Sequence, residues 1–152
     1  MEEEIRYAPA AKSDARAIHL LLEESGLPGK DIFRHLDHFI LARNSEKIVG
    51  CIGLEIYEEI GFVRSLAVQT AFRNQGIADT LYRECEKQAA FLGIRDLYLL
   101  TITAEAFFTK RGWTRIDRGD APEVIRRTEE FKGLCPASAI PMRKRILLSA
   151  KD

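Results

Sequence analysis

The chain has 152 residues, a length that buries one continuous core and rarely two, so a single domain over residues 1–152 is expected. Lys plus Arg number 23 and Asp plus Glu number 23, which removes the net field needed to collect nucleic acid or an anionic membrane nonspecifically. Any anion must be caught locally. Cys51, Cys85 and Cys135 form an odd set with no C-x-x-C spacing, against both a disulfide framework and a zinc cluster. Met1-Glu2-Glu3-Glu4 is acidic where a secretory signal needs positive charge and an apolar run, and no apolar stretch approaches the ~18 residues of a membrane span. A soluble cytoplasmic protein in a reducing compartment is expected.

Ile5 to Ala8 fits a short first strand. Ser13 or Asp14 can then cap a helix whose apolar face is Ala17, Ile18, Leu21 and Leu22, ended by Gly26 and Pro28. A short helical pattern covers Asp31 to His38. Phe39 to Ala42 reads as a strand turned by Asn44-Ser45-Glu46 into an antiparallel partner, Lys47 to Tyr57. Gly61 opens the next strand, Phe62 to Val68. Ile77, Leu81, Cys85, Ala89 and Leu92 recur at nearly helical spacing until Gly93, a C-terminal stop. Leu97 to Ile102 suits a buried strand, Ala104 to Arg111 a short helix and Trp113 to Asp117 another strand. The strand, helix, strand order predicts a parallel pair joined by a right-handed crossover. Pro122 favours the start of a helix running to about Phe131, before a last strand near Ile140 to Leu147. The fold class is mixed α/β, and an exposed sheet edge near the C-terminus offers a surface for a homodimer.

The main chemical signal lies between Val68 and Ile77, in Gln69-Thr70-Ala71-Phe72-Arg73-Asn74-Gln75-Gly76. A loop that enters a helix presents unpaired backbone N–H groups and the positive end of the helix dipole, and so binds phosphate with few charged side chains. Gly76 and the small Ala78 let phosphates approach the backbone, and Arg73 can add a charge-assisted contact. By itself R-x-x-G-x-A also fits an ordinary helix start with a polar loop. Its context is more specific: an apolar strand before it, a long amphipathic helix after it, then a strand and Ala104-Glu105-Ala106-Phe107-Phe108-Thr109-Lys110-Arg111-Gly112-Trp113.

In these places, from Val63-Arg64-Ser65-Leu66-Ala67-Val68 through Gly112-Trp113, the chain resembles the GNAT superfamily of N-acetyltransferases. The resemblance implies the GNAT fold, a mostly antiparallel central sheet with a splayed parallel strand pair, flanked by helices, and acetyl-CoA as cosubstrate with no metal. It also implies that the strand at Leu66, Ala67 and Val68 carries a bulge, splays from Leu97 to Thr101, and pairs the main chain of Leu66 and Val68 with pantetheine. The amides of Asn74, Gln75, Gly76, Ile77 and Ala78 would then take the pyrophosphate, with a backbone N–H near Val68 holding the thioester carbonyl oxygen.

Acyl transfer to nitrogen needs a neutral amine, a polarised carbonyl and an exit for the thiolate. The family often has a tyrosine where this chain has Phe108, beside the cofactor; a phenyl ring has no proton to give. The role falls to water, to a hydroxyl such as Thr101 or Thr103, or to nothing, since a thiol pKa of about 8.5 makes the unaided thiolate a tolerable leaving group. For the base, Glu58 and Glu59 read as solvated turn carboxylates, while Glu55 shares a strand face with Tyr57 and is the better candidate.

Arg64 stands inside an apolar strand, where an unpaired charge is costly, so it needs an anionic partner. Two readings stay open: a structural ion pair with a nearby glutamate, and a fork that grips a substrate carboxylate, aided by Arg126 and Arg127. His19, His35 and His38 read as surface or packing residues, and the His35/His38 pair lacks an evident third metal ligand. The run from Leu99 to Phe108 looks like the N-acetylglutamate synthase branch. The tail, Ala121-Pro122-Glu123 to Arg126, Phe131 and Leu134 to Ala139, is similar to small amino-acid N-acetyltransferases encoded with arsenic-resistance genes. Those resemblances imply an amino acid or analogue as acceptor, whose α-amino pKa of about 8 leaves a useful neutral fraction. A peptide N-terminal acetyltransferase and a non-catalytic acyl-CoA-binding module are the other two readings.

Overall fold

A computed structural model describes residues 4–146. In chain order it contains β1 (Ile5–Pro9), α1 (Ala15–Glu24), β2 (Phe39–Asn44), β3 (Lys47–Tyr57), β4 (Ile60–Val68), α2 (Ile77–Phe91), β5 (Asp96–Thr101), α3 (Glu105–Thr109), β6 (Thr114–Arg115), α4 (Glu123–Arg126) and β7 (Ile140–Arg145). The strands follow the order β1-β2-β3-β4-β5-β7-β6 in one sheet. β4 and β5 are parallel, and β1–β2, β2–β3, β5–β7 and β6–β7 are antiparallel. This is the mixed α/β architecture expected from the sequence.

The chain divides into two compact units. The first contains the chain up to Glu55 together with Arg64–Gln88. Its core sets Ile18, Leu21 and Leu22 of α1 against Ile32, Leu36, Phe39, Leu41, Cys51 and Ala67. The buried face of α1 is Ala15, Ile18, Leu21 and Leu22; Ile18, Leu21 and Leu22 face the core as expected, while Ala17 is exposed. Asp14 precedes α1 without capping it; its carboxylate accepts from the Ala11 N–H and from Arg43, both at 2.8 Å. Gly53 sits so close under Phe39 that an added Cβ would lie 2.4 Å from the ring. Gly53→Ala is therefore expected to destabilise the fold by about 1–3 kcal/mol, the usual cost of overpacking, measured as a lower urea midpoint at unchanged slope.

The second unit contains Ile56–Val63 and the chain from Ala89 onward. The parallel ladder covers Ile60↔Asp96, Gly61↔Leu97 and Phe62↔Tyr98 and ends there. Around it pack Phe62, Tyr98, Ala121 and Ile125, with Phe131 edge-on to Phe62 at 5.9 Å. α2 stops at Gly93, whose φ of 84° turns the chain so that the Ile94 N–H closes onto the Ala89 carbonyl at 2.9 Å.

Four expected elements differ. The segment Asp31 to His38 is two tight 3₁₀ turns, Ile32–Arg34 and Leu36–His38, separated at His35. The helix expected from Pro122 to Phe131 breaks after Arg126 and resumes as a wider turn, Glu130–Leu134. Thr128 causes the break: its buried hydroxyl donates to the Ile125 carbonyl at 2.8 Å and accepts from the Phe131 N–H, offering the backbone an alternative to the helical ladder. The strand expected over Trp113 to Asp117 shrinks to Thr114–Arg115, because Trp113 is drawn into the interior and its N–H closes the end of α3 on the Phe108 carbonyl. The last strand is not a sheet edge, since β7 lies between β5 and β6, and its C-terminal strand residue expected at Leu147 falls outside the described residues.

Candidate functional site

In the first unit, the chain leaves β4 through one tight turn, Thr70–Phe72, and then runs exposed from Arg73 to Gly76 into α2. Asn74 and Gly76 are both left-handed, with φ of 64° and 82°. Successive N–H groups turned toward one side of such a turn form a concave arrangement that binds anions. The first N–H groups of α2, at Ile77 and Ala78, continue that set, and the 15-residue helix behind them supplies a full dipole. Asp79 in the first turn would oppose an anion, but Arg83 neutralises it at 2.7 Å. A Cβ built at Gly76 meets no protein atom within 4 Å, so the backbone angle and the space a ligand needs, rather than crowding, require glycine there.

Arg73 is used differently from the expectation. Its Nε donates to the Val68 carbonyl at 2.9 Å, tying the turn to the end of β4. Leu66 is half-buried, and Ala67 and Val68 are buried beside it. Ser65, immediately before them, has a φ of 61° and is the one left-handed residue inside a strand among those described.

Arg64 shows what the sequence left open. Its Nη2 and Nη1 donate to Asp31 at 2.6 and 2.7 Å, and Nη1 also reaches Glu55 at 2.7 Å. The three side chains are 0, 1 and 2 % exposed, so the ion pair is dry. The fork offered to a substrate carboxylate thus faces the chain's own carboxylates, and the ion-pair reading replaces it. Glu55 is likewise corrected as a candidate base: its carboxylate is buried and accepts from the Arg64 guanidinium at 2.7 Å instead of facing an acceptor. Asp31 was missed, and His35, read as packing, lies 3.6 Å from Asp31 and 3.5 Å from Glu55. The spacing of Asp31 and His35, one helical turn apart, was the available signal. Asp31, His35 and Glu55 bring three ligand atoms within 4.8 Å of one another, but Arg64 Nη1 bonds both carboxylates and holds the position a cation would need.

Burial pushes the Asp31 carboxyl up, but the Arg64 hydrogen bonds and charge, with His35, outweigh it and hold the group below the usual carboxylate range. The same balance, with the Ala11 N–H and Arg43, lowers Asp14. A depressed folded value means that the unfolded chain binds more protons in the window between the two values, so stability rises with pH there. The contribution is complete above the ordinary value of about 3.9 and is lost as pH falls through the lower folded value. The urea midpoint is accordingly expected to stay level down to about pH 5 and to fall below about pH 4.

In the second unit, Phe108 is buried against Phe107 and Trp113, with ring centroids at 5.1 and 5.6 Å. Thr101 is buried and its Oγ1 accepts the Ala104 N–H at 2.9 Å, so it caps the turn into α3, while Thr103 is exposed. Arg127 pairs with Glu123 at 2.7 Å on the surface, a contact worth little. Arg126 is exposed, with its Nε donating to the Ala121 carbonyl at 3.0 Å. Cys135 donates to the buried Glu130 carboxylate at 3.4 Å, as a packed thiol.

A strand here leads through a turn with two left-handed residues into a long helix, and so presents backbone N–H groups at a helix start. Residues 2–113 match the acetyltransferase (GNAT) family, and the chain belongs to that family. It is an acetyl-CoA-dependent N-acetyltransferase. An uncharacterised N-acetyltransferase of Chlorobaculum tepidum is 29% identical over 124 residues, covering 76% of this chain and 79% of that protein. The amino-acid acetyltransferase of Aeromonas salmonicida is 27% identical over 66% of this chain, which spans 24% of the relative's length. N-acetylglutamate synthase from Neisseria gonorrhoeae, complexed with coenzyme A and N-acetyl-glutamate, has the same fold with a TM-score of 0.81 at 21% identity, over 97% of this chain and 36% of that one. A Mycobacterium tuberculosis protein in complex with CoA and NLQ gives 0.79 at 23% identity over 93% of this chain and 99% of that one. No helix among the described residues is long and apolar enough to cross a membrane.

Proposed function

We propose that the enzyme acetylates the α-amino group of a small, carboxylate-bearing amino acid or amino-acid analogue in a ternary complex. The observation that carries this reading is the turn from Arg73 to Ala78, whose left-handed Asn74 and Gly76 fit the pyrophosphate of acetyl-CoA. Relatives named amino-acid acetyltransferase, and the N-acetyl-glutamate bound in a protein of the same fold, support the acceptor class. Pantetheine runs along the main chain from Leu66 to Val68. The neutral amine attacks the thioester carbonyl, forming the C–N bond; the C–S bond breaks, coenzyme A leaves as thiolate, and the amine's surplus proton passes to solvent.

That route asks little of acid or base residues. An α-amino pKa of about 8 supplies neutral amine, and a thiol pKa of about 8.5 lets the thiolate depart unaided. Phe108 then serves as packing, and the Arg64 cluster as structure. Three buried thiols, Cys51, Cys85 and Cys135, suit a cytoplasmic enzyme.

The test is thiol release from acetyl-CoA over a panel of α-amino acids, their phosphinic and arsenical analogues, and short peptides. Turnover is expected with one or more of the small acceptors, with the log of kcat/KM rising with pH up to about 8. Turnover with peptides alone would replace this reading, and tight acetyl-CoA binding with no release on any amine would end it.

A further inference from the structure

The segment from Leu134 to Ala139 takes no part in the cofactor turn or in the Arg64 cluster. It folds into a tight turn of its own: the Ala139 N–H donates to the Pro136 carbonyl at 3.0 Å, and Pro136, Ala137 and Ser138 are exposed. The turn closes on one guanidinium. Arg118 Nη2 donates to the Pro136 carbonyl at 3.1 Å and to the Ala139 carbonyl at 3.2 Å. The Arg118 backbone is held as well, since the Ala121 N–H closes the turn Arg118–Asp120 on the Arg118 carbonyl at 3.2 Å.

This clamp uses Nη2 and leaves the N–H groups of Nε and Nη1. Among the described residues no carboxylate pairs with Arg118, although its side chain is half-buried. Elsewhere the chain pairs sheltered guanidiniums with its own acids, as Arg43 with Asp14, Arg64 with Asp31 and Arg143 with Asp96. Carbonyl dipoles hold Arg118 in place without cancelling its charge.

The surroundings are apolar. Arg118 Cζ lies 5.5 Å from the centroid of the Phe131 ring, and Phe131 meets Phe62 edge-on at 5.9 Å. Phe62↔Tyr98 is the last rung of the β4–β5 ladder. Within the second unit, the guanidinium is therefore one aromatic ring removed from the place where the parallel ladder ends. Beside aromatic rings the effective dielectric falls, so a fixed cation attracts an anion more strongly than at an open surface.

We propose that Arg118 binds the α-carboxylate of the acceptor amino acid through the N–H groups that its main-chain clamp leaves unused. This rests on the reading that the acceptor bears a carboxylate. The Pro136–Ala139 turn fixes the guanidinium before the ligand arrives, so little side-chain freedom is lost on binding. The bonds to the carboxylate are charge-assisted and set a preference for acids over uncharged amines of the same shape.

The test pairs each α-amino acid that turns over with its α-carboxamide, which keeps the amine and removes the anion. The wild type is expected to favour the acid by about thirtyfold in kcat/KM, and Arg118→Met to reduce that preference to about threefold or less. The loss should lie in the KM of the acid, with the acetyl-CoA KM changed less than about twofold. Equal losses on acid and carboxamide would overturn the proposal, since Arg118 would then only hold the loop. A wild type with no preference for the acid would remove the carboxylate reading itself, and the proposal with it. A second measurement on the wild type covers a variant that does not fold: phenylglyoxal labelling of arginines, located by mass spectrometry of peptides. The acid is expected to slow labelling of Arg118 at least about threefold and the carboxamide to leave it unchanged. Labelling of Arg118 at the same rate with both would overturn the proposal.

Discussion

Replacing Arg64 by methionine is expected to destabilise the protein by about 3–5 kcal/mol, read as a lower urea midpoint and a fall in the thermal midpoint of roughly ten degrees. The methionine fills much of the same volume, so the cost does not come from a cavity. It comes from Asp31 and Glu55, which would keep two carboxylates in a site 1 and 2 % exposed with no guanidinium left to pair them. Both would then take up protons on folding. The sign of the pH dependence therefore reverses: the wild type loses stability as pH falls through the depressed Asp31 value, whereas the variant gains stability on acidification from neutral pH until its carboxylates are protonated in the unfolded chain as well. Arg64→Met with unchanged stability, or with the wild-type pH slope, would show that the cluster is not the dry ion pair described.

This cluster also marks where sequence reasoning stopped. A charge inside Phe62-Val63-Arg64-Ser65-Leu66 announced that a partner must exist, because an unpaired guanidinium is not buried. It did not say which. Asp31 lies 33 positions away in a segment whose helical pattern gives no hint of facing β4, and long-range pairing leaves no local trace. Glu55 was noticed for its strand face and given a role that its burial rules out. The left-handed Ser65 was wholly illegible, since serine has no preference for that conformation, and of the bonds to it one comes from the neighbouring Arg64 and the other from Cys51 on β3.

The elements themselves were more legible, because they obey local rules. The strand pair from Phe39 to Tyr57 follows from alternation and a turn, and α2 from apolar residues at helical spacing closed by Gly93. Where a side chain competes for the backbone, periodicity misleads: Thr128 keeps the apolar spacing between Ile125 and Phe131 while its hydroxyl breaks the helix between them. The turn proposed for the cofactor was singled out through its flanks, the strand and the helix that the structure places on either side of it. Its internal geometry added what six letters could not, two left-handed residues and an Arg73 that braces the strand end.

That geometry makes Gly76 the residue whose change should cost most in cofactor binding. Gly76→Val is expected to raise the acetyl-CoA KM and the coenzyme A dissociation constant by about thirtyfold or more, with kcat affected far less at saturating donor. Valine is a genuine outlier at a φ of 82°, so the turn would relax to a negative angle, rotating its N–H groups away from the pyrophosphate. Each charge-assisted bond lost is worth about 1.5–3 kcal/mol, and one such bond already exceeds a tenfold effect. Fold stability should change little, because the position is exposed and a Cβ built there meets no protein atom within 4 Å. Gly76→Asn supplies the contrast. Asparagine tolerates the left-handed region, so it should keep the N–H groups in place and cost only a few-fold in affinity. If valine and asparagine weaken coenzyme A equally, bulk rather than backbone direction governs the site; if neither does, the pyrophosphate lies elsewhere.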